Sequence, residues 1–371
     1  MKTKVRVKKD FLMSVFAVLL GLLAGAGLMA VTGSNPLEGF IYLFRGGTMN
    51  IERIGNTLAT ATPLIFAGLS VAFAFKTGLF NIGAAGQMLI GGLCATAIGL
   101  TFDWPKAVML PVIVIASLIG GALWAALPGF LKAKYNVHEV VATIMMNWIA
   151  YWSIYYIVPL YFKGPFLETE SQRIPEAASM KVPWLTSLFS GSYINLGFFL
   201  AIIFIVIIAF ILERTTMGYE LKSVGYNRDA AEAAGIGVNR NIILSMAIAG
   251  ALAGLGGATF YVGFASNMQI GVLPAQGFDG IAVALLGANA PWGVFAAALF
   301  FGLLHTGKGF MSAMTAIPPE IADTIIATII YFAATSVLIE RNWDKLKKFN
   351  LARITGRAKV EELNADAGGE Q

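Results

Sequence analysis

Residue types that carry catalysis are sparse in this sequence, and their spacing matches no common catalytic motif. The 371 residues include two histidines, His138 and His305, and one cysteine, Cys94. Neither an HExxH metal pattern nor a GxSxG nucleophile elbow occurs. The stretch GLLHTGKG, residues 302–309, fits part of a phosphate-binding loop, but Gly309 stands where Ser or Thr holds magnesium, and an apolar run precedes it instead of a β-strand. We therefore expect no catalytic residue, no metal site and no cofactor bound by this chain.

Four polar side chains lie instead within apolar runs. They are Asn81, Gln87, Asn147 and Asp279. Such groups are costly in a membrane unless they bond internally or face water. Trp148, beside Asn147, adds an aromatic face on which a planar ring can stack. We regard these five residues as candidates for lining a pathway through the membrane. The alternative is that the polar ones bond between helices, as polar side chains in helical bundles commonly do.

The elements that must position these residues are membrane helices. The chain is 57% hydrophobic and only 13% charged, with a mean hydropathy of +0.73, whereas soluble domains are about half apolar and about a quarter charged. Runs of about 18 or more apolar residues read as spanning helices. The runs here do not alternate in the manner of an outer-membrane barrel. The predicted fold is all-α, a polytopic bundle of membrane helices.

We predict about ten spans, with both termini in the cytoplasm. The spans are 11–31, 57–75, 78–100, 108–130, 137–161, 194–212, 241–264, 277–290, 292–304 and 321–338. Spans eight and nine are short and separated by Pro291, so we expect a re-entrant pair or broken helices. On this topology nineteen of the 26 basic residues lie in cytoplasmic segments, as the positive-inside rule requires. This bias explains the net charge of +5 without a nucleic-acid partner.

The chain divides into three predicted segments. Residues 1–10 form a cytoplasmic N-terminal segment, 11–340 the transmembrane domain, and 341–371 a basic and then disordered cytoplasmic tail. Two loops within the domain are long. Loop 162–193 is predicted to be external and to cap the outer mouth, whereas loop 213–240 is predicted to be internal.

The internal loop carries a short predicted helix. Residues 228–234, RDAAEAA, favour helix, with Asn227 as the predicted N-cap and Gly235 as the stop. Small residues on one face of such a helix suit insertion into a groove of another protein. The alternative is a solvated loop helix without a partner.

Four stretches together resemble one family of transport proteins. The internal loop is similar to the coupling loop of ATP-binding-cassette importer permeases, where an element like Glu-Ala-Ala-Gly docks on the ATPase. The stretches NIGAAGQMLIG at 81–91, EVVATIMMNWIAYW at 139–152 and QGFDGIAVALLG at 276–287 resemble landmarks of the permeases for simple sugars and nucleosides in that group. The resemblance covers about residues 50–340 and is nearest to bacterial nucleoside permeases.

The resemblance implies a function and a set of partners. The chain would be a permease subunit in a bacterial plasma membrane, forming the pathway that carries nucleosides into the cytoplasm. Its partners would be a cytoplasmic ATPase that binds ATP and magnesium, a second homologous permease in a heterodimer, and an extracellular lipoprotein that delivers substrate. Matching the coupling loop, the residues expected to act with the ATPase are Gly218, Glu220, Arg228, Ala231, Glu232, Ala234 and Gly235.

Three alternatives remain open from the sequence. A simple-sugar permease of the same group would share the motifs. An ion-coupled secondary transporter needs ionisable residues within its spans, and Glu139, Asp279 and Asp323 all lie near predicted span ends or in a short span. An intramembrane enzyme would need paired carboxylates, a histidine cluster or a serine–lysine dyad, and these the sequence lacks.

Overall fold

The computed structural model describes residues 2–165, 168–333 and 335, and the chain is helical through most of that length. The elements in chain order are α1 (Lys2–Val31), α2 (Pro36–Thr48), α3 (Ile51–Lys76), α4 (Ala84–Thr101), α5 (Lys106–Tyr135), α6 (Glu139–Tyr161), α7 (Pro183–Leu188), α8 (Gly197–Arg214), α9 (Thr216–Tyr226), α10 (Arg228–Ala233), α11 (Val238–Ala258), a π-helical turn (Thr259–Ala265), α12 (Ala275–Leu286), α13 (Pro291–Met314) and α14 (320–333). Within the described residues no β-strand forms, and the only pairings are two isolated bridges. The all-α prediction is confirmed.

Eight of these helices are long and apolar enough to cross a membrane. They are α1 from Met13 onward, α3, α4, α5, α6, α8, α11 with its π-helical extension, and α13. The predicted span 277–290 corresponds to α12, whose 12 residues reach about 18 Å and therefore cannot alone cross a hydrocarbon core of about 30 Å. The polytopic bundle is thus observed, while the count of ten spans with cytoplasmic termini stays a prediction.

The structure corrects the prediction for span nine and adds two helices. Residues 292–304 are not a short span, because α13 runs unbroken from Pro291 to Met314. Lys308, predicted to be outside, lies within α13 and pairs with Asp323 at 2.7 Å. The amphipathic helix α2 and the helix α9, which lies in the loop predicted to be internal, were not predicted. The predicted tail 341–371 lies outside the described residues.

Span eight is a broken element. Residues 266–274 are not helical, and α12 begins only after Pro274. The non-helical part is held against the external loop: Ile270 N donates to Thr169 O at 2.9 Å, and Ser171 N donates to Met268 O at 2.9 Å. Irregular backbone at membrane depth is tolerated where protein buries it or where it lines a cavity. The expectation of a broken helix therefore fits α12 and the non-helical residues 266–274 before it, and does not fit α13.

The centre of the bundle is held by helices whose backbones touch. Glycines of α11 face α5 and α4, and a Cβ added at Gly250, Gly254 or Gly257 would overlap backbone atoms of those helices, including the carbonyl oxygens of Gly121 and Met88. Large side chains, among them Phe66, Phe73 and Phe301, fill the remaining core and are fully buried. Small residues that let helices approach closely are the usual basis of association in membranes, because lipid is as apolar as a side chain.

Candidate functional site

Three of the predicted pathway residues form one buried cluster of amides, here called the amide knot. Asn81, Gln87 and Asn147 are 0%, 1% and 3% exposed. Asn81 and Gln87 exchange two hydrogen bonds of 2.9 Å, each amide nitrogen donating to the other's oxygen. Asn81 Nδ2 also lies 3.3 Å from Ser70 Oγ, which it reaches as a donor. The knot thus joins α3, the 77–83 loop and α4.

Asn147 extends the knot to α6 by capping a different helix. The N-cap position of α4, Gly83, supplies no side-chain bond, and the first N–H groups of a helix lack partners within it. Asn147 Oδ1 accepts from Gly86 N at 2.8 Å, and Asn147 Nδ2 donates to Ile82 O at 3.0 Å. A side chain of α6 therefore supplies hydrogen-bond partners for backbone groups at the start of α4. These contacts support the interhelical alternative in the conformation observed, and a pathway role for the three amides stays a prediction.

Trp148 lies on an open face of α6. Its side chain is 49% exposed and meets Tyr151 edge to face, with ring centroids 5.5 Å apart. Trp152 and Tyr155 continue the same face toward the outer end of the helix. The ring is free to stack on a flat ligand or to face lipid or a second subunit, so its pathway role also stays a prediction.

Asp279, the fifth candidate, is paired with a residue that the sequence analysis did not select. His305 Nε2 lies 3.1 Å from Asp279 Oδ2, joining α13 to α12. The side chains are 20% and 18% exposed. The sequence shows two ionisable residues in apolar runs, which could have indicated a pair. Because they are 26 positions apart, the sequence alone does not show that they meet.

The region between α8 and α11, which is predicted to be cytoplasmic, is built as two short helices. Asn227 Oδ1 accepts from Ala230 N at 3.0 Å, which confirms the predicted cap of α10. Gly235 has φ +81°, a left-handed conformation that favours glycine and ends the helix. Glu220 accepts from Asn241 Nδ2 at 2.9 Å, which ties α9 to α11. Gly218 packs against the backbone at the end of α8, where a Cβ would overlap the Ile211 carbonyl oxygen.

The predicted small-residue face of α10 is not a single exposed face. Ala231 is 3% exposed and packs inward among Ala74, Leu79 and Met246. Ala234, by contrast, is exposed, as are Glu232 and Gly235, while Arg228 is half-buried. The prediction that Ala231 and Ala234 lie together on one docking face is therefore wrong, because Ala231 packs against the permease core.

Two exposed tyrosines extend the accessible cytoplasmic surface. Tyr219 and Tyr226 on α9 are 70% and 81% exposed. A spacing of seven residues places them on the same face of α9. Sequence analysis missed them because α9 was not predicted. We call the surface made by Tyr219, Tyr226, Glu232 and Ala234 the cytoplasmic face.

Helix α9 is linked to the amide knot through the end of α3 and the 77–83 loop. A Cβ at Gly225, near the end of α9, would overlap the carbonyl oxygen of Lys76 at the end of α3. Thr77 Oγ1 donates to Ser245 Oγ of α11 at 2.8 Å. Four residues later the chain reaches Asn81 and the knot. A displacement of α9 therefore acts on α3, α11 and the loop that leads into α4.

The loop that is predicted to be external contributes to a basic cleft of about 800 Å³. Lys106, Arg173 and Lys181 contribute to its lining. Lys181 Nζ donates to Phe264 O at 3.2 Å and lies 5.0 Å from the Tyr193 ring centroid. Burial, together with the positive charge of Arg173, lowers the pKa of the Lys181 ammonium below its usual value. That this loop caps the outer mouth stays a prediction.

The stretch 302–309, which resembles part of a phosphate-binding loop, lies inside α13. Its backbone N–H groups lie within a continuous helix, and a phosphate cradle needs them turned outward from a loop. Within the described residues no group of three or more His, Cys, Asp or Glu side chains is placed to hold a metal ion.

Comparison with known proteins places these features in a family. A family model described as branched-chain amino acid transport system / permease component matches residues 53–334. The guanosine ABC transporter permease protein NupP of Bacillus subtilis is 42% identical over 338 residues, covering 91% of this chain and 97% of the relative. The nucleoside ABC transporter permease protein NupB of Lactococcus lactis is 41% identical over 354 residues, covering 94% and 97%.

More distant relatives include a sugar permease and a second guanosine permease. The glucose ABC transporter permease protein TsgB13 of Haloferax volcanii is 30% identical over 339 residues, covering 88% of each chain. The guanosine ABC transporter permease protein NupQ of Bacillus subtilis is 29% identical over 259 residues, covering 67% of this chain and 79% of the relative. No solved structure matches the chain.

Proposed function

The chain belongs to the family of branched-chain amino acid transport system permease components, and from this membership we propose that it forms the nucleoside pathway of an ATP-driven importer. It is a multi-pass protein of the bacterial plasma membrane. It is a transport subunit and not an enzyme. Two relatives above 40% identity across nearly the whole chain, both named as nucleoside or guanosine permeases, carry the assignment of substrate.

A simple-sugar permease is the second candidate. The glucose permease TsgB13 supports it, since it also aligns along most of the chain, but its identity is 30% compared with 42% for NupP. Nucleosides contain a ribose, so both substrate classes present hydroxyl groups, and only a nucleoside presents a planar base. The open aromatic face of α6 at Trp148 favours a substrate with a flat ring.

The cytoplasmic face is the proposed contact with an ATPase subunit that binds ATP and magnesium. It is exposed, it contains two aromatic side chains and a small residue, and aromatic residues are enriched at protein interfaces. The same helices touch the end of α3 at Lys76 and the start of α11 through Asn241. Closure of the ATPase would therefore be transmitted to helices that pack around the amide knot, and the pathway would alternate between two states with different contacts in each.

Two further partners complete the proposed importer. A second homologous permease is supported by the relatives, since Bacillus subtilis has both NupP and NupQ, each named as a guanosine permease protein. A lipoprotein that delivers substrate would meet the external loop, where the basic cleft offers positive charge to an acidic surface.

Ion coupling receives little support from the structure. Each of the three carboxylates that the sequence analysis weighed for it has a basic partner: Glu139 pairs with Lys132 at 3.0 Å, Asp279 with His305 at 3.1 Å and Asp323 with Lys308 at 2.7 Å.

Uptake by the reconstituted importer tests the function. We expect proteoliposomes containing this chain, its second permease and its ATPase to accumulate labelled guanosine or uridine when lipoprotein is outside and ATP is inside. Labelled glucose is the control substrate. Concentrative uptake that persists without ATP and stops with an uncoupler would contradict the proposal, and glucose uptake without nucleoside uptake would favour the sugar alternative.

A further inference from the structure

Two ionisable side chains meet within the membrane domain at a place separate from the amide knot. Asp279 lies in the first half of α12, and His305 lies in the middle of α13. The side chains of Asp279 and His305 are 18% and 20% exposed, so the pair is partly accessible and does not lie in the closed core. Ionisable residues within membrane spans are rare and commonly mark the route of a substrate or ion.

Each member of the pair keeps one polar atom without a partner in the part of the chain that the structure describes. The bond joins Asp279 Oδ2 and His305 Nε2, which leaves Asp279 Oδ1 and His305 Nδ1 free. A carboxylate only accepts hydrogen bonds, and an imidazole nitrogen accepts or donates according to its tautomer. A ligand that completes both atoms must donate to Asp279 Oδ1, and a group that can both donate and accept suits either role of His305 Nδ1. Hydroxyls meet this requirement.

Polar side chains lead from the external loop to the pair. Asn56 and Thr60 are one helical turn apart on α3, so they share a face, and both are half-buried. Asn56 Oδ1 accepts from Tyr193 N of the external segment at 2.9 Å. Thr306, next to His305, donates to Thr60 Oγ1 at 3.3 Å. A line of polar groups thus crosses from α3 to α13 and ends beside the pair.

The same face of α12 presents an aromatic ring. Phe278, adjacent to Asp279, is 40% exposed, and Ala275, one turn earlier, is exposed as well. An apolar ring beside hydrogen-bond acceptors matches a ligand that has one flat apolar part and one hydroxylated part. A nucleoside has both parts, with the base as the flat one and the ribose as the hydroxylated one.

We propose that Asp279 and His305 recognise the ribose hydroxyls of a nucleoside as it passes through the permease. The inference rests on the proposed function and names the residues that act on the substrate. Asp279 accepts from one hydroxyl through Oδ1, and His305 holds that carboxylate in place while its Nδ1 meets a second hydroxyl.

Transport of deoxynucleosides tests this inference. The full importer in proteoliposomes is supplied with saturating lipoprotein that is loaded with uridine, 2′-deoxyuridine or 3′-deoxyuridine. Because the lipoprotein is loaded and saturating, its affinity for each nucleoside does not affect the initial rate of transport. We expect the wild-type importer to move uridine about tenfold faster than at least one deoxynucleoside, a ratio within reach of one hydrogen bond to a charged group.

Two variants should remove this discrimination. Asp279→Asn keeps the volume but weakens the acceptor, and His305→Gln keeps a donor for Asp279 but removes the ring nitrogen. Each variant should lower the uridine rate and leave nearly unchanged the rate of the deoxynucleoside that lacks the hydroxyl bound by the changed residue, so that this rate ratio approaches one. The matched controls are Lys308→Gln on α13 and Asp323→Asn on α14, which break a more exposed ion pair and should preserve the ratio.

Several results would overturn the inference. They are a wild-type ratio near one, equal losses for all three substrates in both variants, or failure of both variants to assemble with the partner subunits, which would mark the pair as purely structural. If the wild-type importer moves no nucleoside at all, the proposed function itself fails. That result differs from uridine transport without discrimination, which would overturn this inference alone.

Discussion

At the residue scale, the amide side chains in the membrane domain act mainly on the backbone. Asn147 serves two backbone groups near the start of α4, one N–H and one carbonyl, and Asn81 serves Gly83 N at 3.0 Å. An unpaired polar group buried in an apolar environment is costly. These amides therefore allow α4 to begin inside the bundle, beside α3 and α6, without exposing its first N–H groups to an apolar surrounding.

Asn147→Ala should lower the thermal stability of the permease. The change leaves Gly86 N and Ile82 O without their observed partner, at a cost of about 1–3 kcal/mol for each buried group. We expect a clear drop in the midpoint of thermal unfolding of the purified permease in detergent. Ser153→Ala is the control on the same helix, because Ser153 is only half-buried and its hydroxyl donates to Ile149 O within α6. If Asn147→Ala has wild-type stability but no uptake, the amide acts on the substrate and not on the fold.

At the element scale, the two cytoplasmic helices divide their surfaces between the permease and the outside. Ala231 and Val224 face inward, whereas Ala234 and the tyrosines of α9 face outward. Lys222 of α9 donates to Leu212 O near the end of α8. It therefore belongs to the attachment of α9 and is unsuitable as a silent control.

Large side chains at Ala231 and Ala234 should have different effects. Ala231→Trp overfills a closed cluster, which typically costs about 1–3 kcal/mol, so thermal stability should fall. Ala234→Trp should leave stability unchanged and reduce recovery of the ATPase during purification in mild detergent, along with uptake. Ala234→Ser is the control, since its small side chain should preserve both. Full recovery of the ATPase with Ala234→Trp would mean that the subunit docks elsewhere.

At the scale of the whole molecule, the helices are arranged so that α9 and α10 lie at one end and the 162–196 region at the other. The contacts of Gly225 with Lys76 and of Tyr193 with Asn56 fix the two ends of α3. Together with the excess of basic residues on one side, this arrangement gives each region a predicted compartment.

Cysteine labelling checks this orientation. In a Cys94→Ala background, Tyr226→Cys should react with a membrane-impermeant maleimide only from the cytoplasmic side, because Tyr226 is 81% exposed on α9. Leu188→Cys, at a position that is 59% exposed and predicted to be external, should react only from outside. The background protein without cysteine is the control for nonspecific labelling, and reversed accessibility at either position would break the topology.

The sequence predicted the features that depend on composition and missed those that depend on distant contacts. Long apolar runs predicted the membrane helices, and Asn227 with Gly235 predicted the ends of α10. The full length of α13 was hidden because His305 and Lys308 look like span-ending polar residues until their partners are placed beside them. The inward direction of Ala231 was equally hidden, since alanine is compatible with either face of a helix.

The glycine contacts between α11, α5 and α4 have a mechanical consequence. Helices whose backbones touch have no side-chain layer to shear, so the three move as one stiff block. The conformational change of a transport cycle must then occur at the borders of this block. Irregular backbone lies there, in the π-helical turn 259–265 and at the left-handed Asn136 (φ +51°) between α5 and α6. The distance between two probes placed within the block would stay constant through the cycle. The distance between two probes on opposite sides of either border would change by the full amplitude of the motion.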